Sequence, residues 1–148
     1  MKEKIDNIKS SIFKLSFIPP FLIRIVLAYG FYEPAMKKWN DIGAIAEWFG
    51  NEDWGLGLPF PTVNAYLAAT TEILGVFLLL LGLGSRIISI PLIFTMLVAI
   101  FTVHFENGFA AGDNGFEIPL YYIIMLIVLI INGPGKLSLD HIIYKKLK

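Results

Sequence analysis

Cysteine is absent from the chain. That excludes disulfides, thiol redox pairs of the C-x-x-C type and thiolate-held metals. Charge is scarce too. Only 16% of residues are charged and 56% are hydrophobic, whereas a soluble domain carries roughly 25% charged residues. Lysine plus arginine and aspartate plus glutamate balance at 12 each, so no basic surface argues for nucleic acid. Histidine occurs twice, at His104 and His141, on opposite sides of the expected membrane, which leaves a bis-histidine haem without ligands. No E-x-x-H pair accompanies His104, so no metal is expected. No A-x-A site follows the first apolar run, and its approach carries Lys2, Glu3, Lys4, Asp6, Lys9 and Lys14. That run therefore reads as a span, not as a cleaved signal.

What the chain has is long apolar stretches. About 20 such residues cross a bilayer as a helix. Four spans are expected, at 20–38, 62–83, 87–105 and 116–132, bounded by Pro19-Pro20, Gly82-Leu-Gly84 and Gly133-Pro-Gly135. Residues 2–17 read as an amphipathic helix or, equally, as a charged tail, and 138–147 as a second amphipathic helix capped by Ser138. A short interfacial helix is expected at 44–49. Trp39, Trp48 and Trp54 cluster around it, as in an aromatic belt. Lys2, Lys4, Lys9, Lys14, Arg86, Lys136, Lys145, Lys146 and Lys148 fall on one side, and the other connections are acidic. The positive-inside rule then puts both termini in the cytoplasm. The expected fold is all-α, an integral membrane antiparallel four-transmembrane-helix bundle forming a single domain over 1–148.

Glu72 interrupts the second span near its middle. A carboxylate there costs roughly 2.5–3.5 kcal/mol on insertion scales, so it should be paired, neutral or facing water. Ala65, Ala68, Ala69 and Gly75 share its face, and small faces are where membrane helices meet. Glu72 is therefore expected inside the bundle, with Arg24 of the first span as partner. The pair reads either as a lock between helices or as a polar site for a proton or a quinone head group. A second polar group is expected at the outer end. His104 and Glu117 border long uncharged runs and could move protons. Glu33, paired with Lys37 at i,i+4, and Glu106 read as ordinary interface residues. Tyr32, Phe105, Phe109, Phe116, Tyr121 and Tyr122 surround this group.

Three patterns carry a family resemblance. They are Thr71-Glu72-x-x-Gly75 followed by Gly82-Leu-Gly84-x-Arg86; His104-Phe-x-Asn107-Gly108-Phe109 followed by Asn114-Gly115-Phe116-Glu117-x-Pro119-Leu120; and Gly133-Pro134-Gly135-Lys136-Leu-Ser138-Leu-Asp140. Together with Arg24 they resemble the DoxX family of small membrane proteins over about residues 20–140, with Val76 departing from a frequent second glycine. The resemblance implies a four-helix protein of the cytoplasmic membrane and links to quinone-dependent sulfur oxidation and oxidative-stress complexes. On that basis the expected role is a quinone-interacting subunit of a membrane redox system. Arg24, Glu72, His104 and Glu117 would form its polar groups, and Tyr121, Phe116 and Phe109 would contact quinone. No haem or flavin is expected. The lipid bilayer, a redox-complex subunit and a second copy of the chain are the expected partners. The rival is a non-enzymatic scaffold whose charges serve helix packing.

Overall fold

The computed structural model describes residues 15–147. Most of the expected helix over 2–17 lies outside them, and 15–17 form a turn.

Pro19 and Pro20 lie in the first turn of α1 (Ile18–Asn40), where proline's missing N–H costs no helical bond. Asp41 ends α1 and caps α2 (Ile42–Gly50), its Oδ1 accepting from the Ala44 amide at 3.0 Å. The expected interfacial helix is thus present and slightly longer than read. Helix α3 (Pro61–Leu81) ends on Gly82, whose φ of 65° is a left-handed conformation that favours glycine. One residue on, Leu83 N–H reaches back to Leu78 O. Helix α4 (Ser85–Ala99) then runs away from that turn. It continues through a π-turn (Ile100–His104), where Phe105 N–H bonds Ile100 O, into a short 3₁₀ turn (Phe105–Asn107). Helix α5 (Glu117–Asn132) ends at Gly133, and Ser138 caps α6 (Leu139–Lys146) by accepting from His141 N–H, as its position suggests. Among the described residues there is no strand.

Helix α1 lies against α3, α3 against α4, α4 against α5, and α5 returns to α1, while α2 packs on the start of α3. All four long helices feed one core, in which Leu27, Leu79, Leu92, Leu126 and Leu129 have no exposed surface. Two glycines set close approaches. A Cβ on Gly30 would overlap the Tyr122 ring, and one on Gly75 would press on Leu92. The outside of the same helices is apolar, with Tyr29, Phe94, Phe101 and Ile87 all exposed. Pro61–Leu81 and the continuous helical stretch Ser85–Asn107 are long and apolar enough to cross a membrane, with mean hydropathies of 1.7 and 2.3. Glu117–Asn132 is a shorter apolar helix. An apolar exterior around an apolar core is the pattern of a protein solvated by lipid.

Candidate functional site

The two buried charges are not partners. Arg24, fully buried, donates through Nη1 to Leu79 O at 2.9 Å and to Leu80 O at 3.3 Å, and through Nη2 to Leu137 O. Its acceptors are the last carbonyls of α3 and a carbonyl just before α6. Helix C-terminal carbonyls lack intrahelical partners and carry partial negative charge, so a guanidinium fits there without a carboxylate. Glu72, 2% exposed, instead takes Lys38, whose Nζ lies 3.0 Å and 2.8 Å from its two oxygens. The expected Arg24–Glu72 contact does not form, although the expected inward orientation of Glu72 does.

Side-chain direction explains the exchange. Helices α1 and α3 run antiparallel, with Arg24 beside Leu79 and Trp39 Nε1 donating to Ala69 O at 3.2 Å. Counting back along both helices from Arg24–Leu79 puts Phe31 level with Glu72. Arg24 and Lys38 then lie about two turns to either side, roughly 10 Å along the axis. Helical side chains lean toward their own N-terminus. From Lys38 that lean points toward Glu72, and from Arg24 it points away. Glu72's own lean carries it toward the Lys38 end.

Arg24 belongs to a larger knot at one end of the molecule. Gly84 N–H donates to Asp140 Oδ1 at 2.9 Å, and Asp140 N–H donates to Gly82 O at 3.1 Å. Ser138 Oγ donates to Gly135 O at 2.6 Å, and Arg86 Nη2 donates to Ile131 O at 3.3 Å. The Gly82-Leu-Gly84-x-Arg86 and Gly133-to-Asp140 motifs thus fold on each other. Arg24 and Arg86 each tie down the C-terminal end of a helix on another element.

At the opposite end, the second motif closes a loop between α4 and α5. Gly115 N–H bonds Ala110 O, Phe116 N–H bonds Gly108 O, and Glu117 N–H bonds Phe109 O. His104 Nδ1 lies 2.7 Å from Asn114 O. A carbonyl only accepts, so Nδ1 carries the hydrogen and a neutral His104 keeps Nε2 as its acceptor. Asn107 Nδ2 donates to Val103 O and Asn114 O. Glu117 accepts from Ala111 N–H at 3.0 Å and from the Tyr121 hydroxyl at 2.9 Å. Gly115 has no room for a Cβ beside the Gly108 and Ala110 carbonyls, which accounts for glycine at that position.

Of the expected aromatic residues this loop gathers Phe105, Phe109, Phe116 and Tyr121, and it adds Phe101, while Tyr32 is not in the row. Phe101 stands 5.9 Å from Phe105, Phe105 stacks on Phe116 at 6.0 Å, and Phe109 meets Phe116 at 5.6 Å and Tyr121 at 6.5 Å edge-on. His104 and Glu117 border the row. Glu33 stays apart, bonded to Lys37 at 2.8 Å in the expected i,i+4 pair on an exposed face of α1, and Glu106 is exposed. Tyr122 also departs from the row and packs on Phe31 at 5.3 Å. Lys38 is the residue the sequence reading missed. It sits with Lys37 at a helix end where lysines are ordinary, so only the lean of its side chain distinguishes it.

Comparison with known proteins finds relatives along most of the chain. A Haemophilus influenzae protein of uncharacterized function is 34% identical over 128 residues, which covers 84% of this chain and 82% of that protein. A second uncharacterized protein of the same organism is 33% identical over 133 residues, covering 86% of this chain and 94% of its own length. A Bacillus subtilis protein bearing the name "Putative oxidoreductase CatD" is 29% identical over 130 residues, covering 86% of this chain and 89% of its own. No solved structure matches. The DoxX family model matches residues 20–105, the region that holds Arg24, Lys38 and Glu72. The chain is a membrane protein and belongs to the DoxX family.

Proposed function

We propose that this DoxX protein is a quinone-interacting subunit of a membrane redox system, with the aromatic row at the α4–α5 loop as its quinone surface. Its four long helices cross the cytoplasmic membrane with both termini in the cytoplasm. The distribution of charge supports that orientation. The end holding Arg86, Lys136, Lys145 and Lys146 is basic, and the connections at the other end carry Asp41, Glu47, Glu52, Asp53, Glu106 and Asp113.

The observation that carries the reading is the row itself. Phe105, Phe109 and Tyr121 are about half exposed, and their edge-on and stacked rings offer flat apolar surface at the membrane boundary. The rim is polar, with His104 Nε2 open to accept a hydrogen bond and a Tyr121–Glu117 pair beside it. Those residues fit a ring carrying oxygens at its edge. A bound quinone would supply two-electron, two-proton redox chemistry. The protein's part is to stack the ring and to hold protons at His104 and Glu117. The name of the Bacillus subtilis relative agrees with a redox role. Arg24 and the Lys38–Glu72 pair act on this reading as the supports that keep the helices aligned.

Equilibrium binding of a short-chain benzoquinone and of a naphthoquinone to the detergent-purified protein tests it. Saturable binding that weakens at least ten-fold in Phe109→Ala with Phe116→Ala is expected. Wild-type protein that binds neither quinone saturably would overturn the proposal. The rival reading, a scaffold, is favoured by a different observation: Arg24, Glu72, His104 and Glu117 all have partners within the fold. It predicts a protein partner whose capture survives those same two substitutions.

A further inference from the structure

At the basic end, α6 does not close against the rest of the protein. A groove of about 570 Å³ runs between the end of α5 and one side of α6. Arg86, Lys136 and His141 lie along it, and Ile143 and Leu147 form an apolar stretch of its wall. Arg86 is exposed and makes one hydrogen bond, to a backbone carbonyl. Among the described residues no carboxylate pairs with Arg86, Lys136 or His141. Asp140, the acid that lines the groove, has an oxygen committed to the Gly84 amide. The groove therefore has surplus positive charge, carried by Arg86 and Lys136. It also continues onto apolar surface, since Ile142, Ile143 and Leu147 are all exposed.

That combination selects its occupant. A soluble anion would use the cations and leave Ile143 and Leu147 facing water. A second protein helix would use the apolar stretch and leave the cations uncompensated. A phospholipid with an anionic head satisfies both, with its phosphate among the bases and an acyl chain along α6. The level in the molecule is right as well. Helix α5 ends at Asn132, and α6 starts seven residues later, so α6 lies at the membrane boundary on the side where basic residues collect.

We infer that this groove, formed by Arg86, Lys136, His141, Ile143 and Leu147, binds the head group and one chain of an anionic phospholipid. The inference is independent of the quinone reading, which concerns the other end of the molecule.

The test uses the full chain in mixed micelles containing phosphatidylglycerol and phosphatidylcholine, with retained lipid read by native mass spectrometry. Wild type should retain phosphatidylglycerol preferentially. Arg86→Gln and Lys136→Gln should each lower that preference about five-fold, the share expected for one basic residue near a charged lipid surface. Lys136→Gln removes no hydrogen bond within the described fold, so its effect does not depend on folding. Ile143→Ser should lower retention of phosphatidylglycerol while leaving binding of inorganic phosphate unchanged. Equal retention of the two lipids by wild type would overturn the inference, as would an unchanged preference in Lys136→Gln. Displacement of the lipid by millimolar inorganic phosphate would also overturn it, by showing a site for the free ion.

Discussion

Lys38 reaches back along its own helix and places Nζ 2.8 Å and 3.0 Å from the two carboxylate oxygens of Glu72. The pair sits where α1 crosses α3, and the carboxylate is almost wholly enclosed. A buried pair contributes little net stability over apolar residues of the same shape, but losing one member strands the other.

Lys38→Met should therefore destabilise the protein by about 3–5 kcal/mol, since Glu72 stays buried without a counter-charge. Glu72→Gln should cost less, because a neutral amide is cheaper to enclose. The double variant Lys38→Met with Glu72→Gln should recover most of the loss. Denaturant unfolding in a fixed detergent, arranged as a double-mutant cycle, measures the coupling. An additive double variant would show that the two residues act separately.

Arg24 should not tolerate lysine. An ammonium keeps the charge but lacks the planar fork that reaches Leu79, Leu80 and Leu137 together. Arg24→Lys should release the segment before α6, and trypsin should then cut after Lys136 at least ten-fold faster than in wild type. An unchanged cleavage rate would mean that the Ser138 and Asp140 contacts suffice to hold the segment.

Gly30→Ala should force α1 and α5 apart, because the new methyl meets the Tyr122 ring and hydroxyl. Overpacking of this kind costs about 1–3 kcal/mol. Combining it with Tyr122→Val, which empties that space, should restore part of the stability lost. Circular dichroism melting of the single and double variants reads this directly.

Gly115→Ala collides with backbone, not with a movable side chain, since its neighbours are the Gly108 and Ala110 carbonyls. The α4–α5 loop should open, and hydrogen exchange at the Phe116 and Glu117 amides should accelerate by orders of magnitude. On the proposed function, quinone binding should fall with it while the global melting temperature moves little. A variant with the loop opened and binding intact would separate the aromatic row from the quinone.

Much of this architecture was legible in the sequence, for reasons that differ from residue to residue. The helix starts at Pro19-Pro20 and the stops at Gly82 and Gly133 follow from backbone chemistry that only those residue types satisfy. Ser138 was readable as a cap, Glu33 with Lys37 as an i,i+4 pair, and the small face around Glu72 as a buried one. The partners of Arg24 were not readable. They are main-chain carbonyls, present in every residue, so no letter marks them. Glu72 was assigned the wrong cation because Arg24 and Lys38 are about equally distant along the helix, and the choice between them rests on how a side chain leans. The π-turn at Ile100–His104 has no composition that distinguishes it from the helix it extends. The grouping of Phe109, Phe116 and Tyr121 was readable from shared depth, whereas the hydrogen bonds that fix His104 and Glu117 depend on the path of the loop between them.

The link from Arg24 to Leu137 spans 113 positions of the chain. On the proposed topology, the first helix enters the membrane well before one of its arginine's acceptors has been made. Until then Nη1 can rest on Leu79 and Leu80 once α3 is in place, while Nη2 must take water or lipid phosphate. The start of α1 can therefore settle only after Leu137 has been made, so assembly at that end waits on the segment before α6.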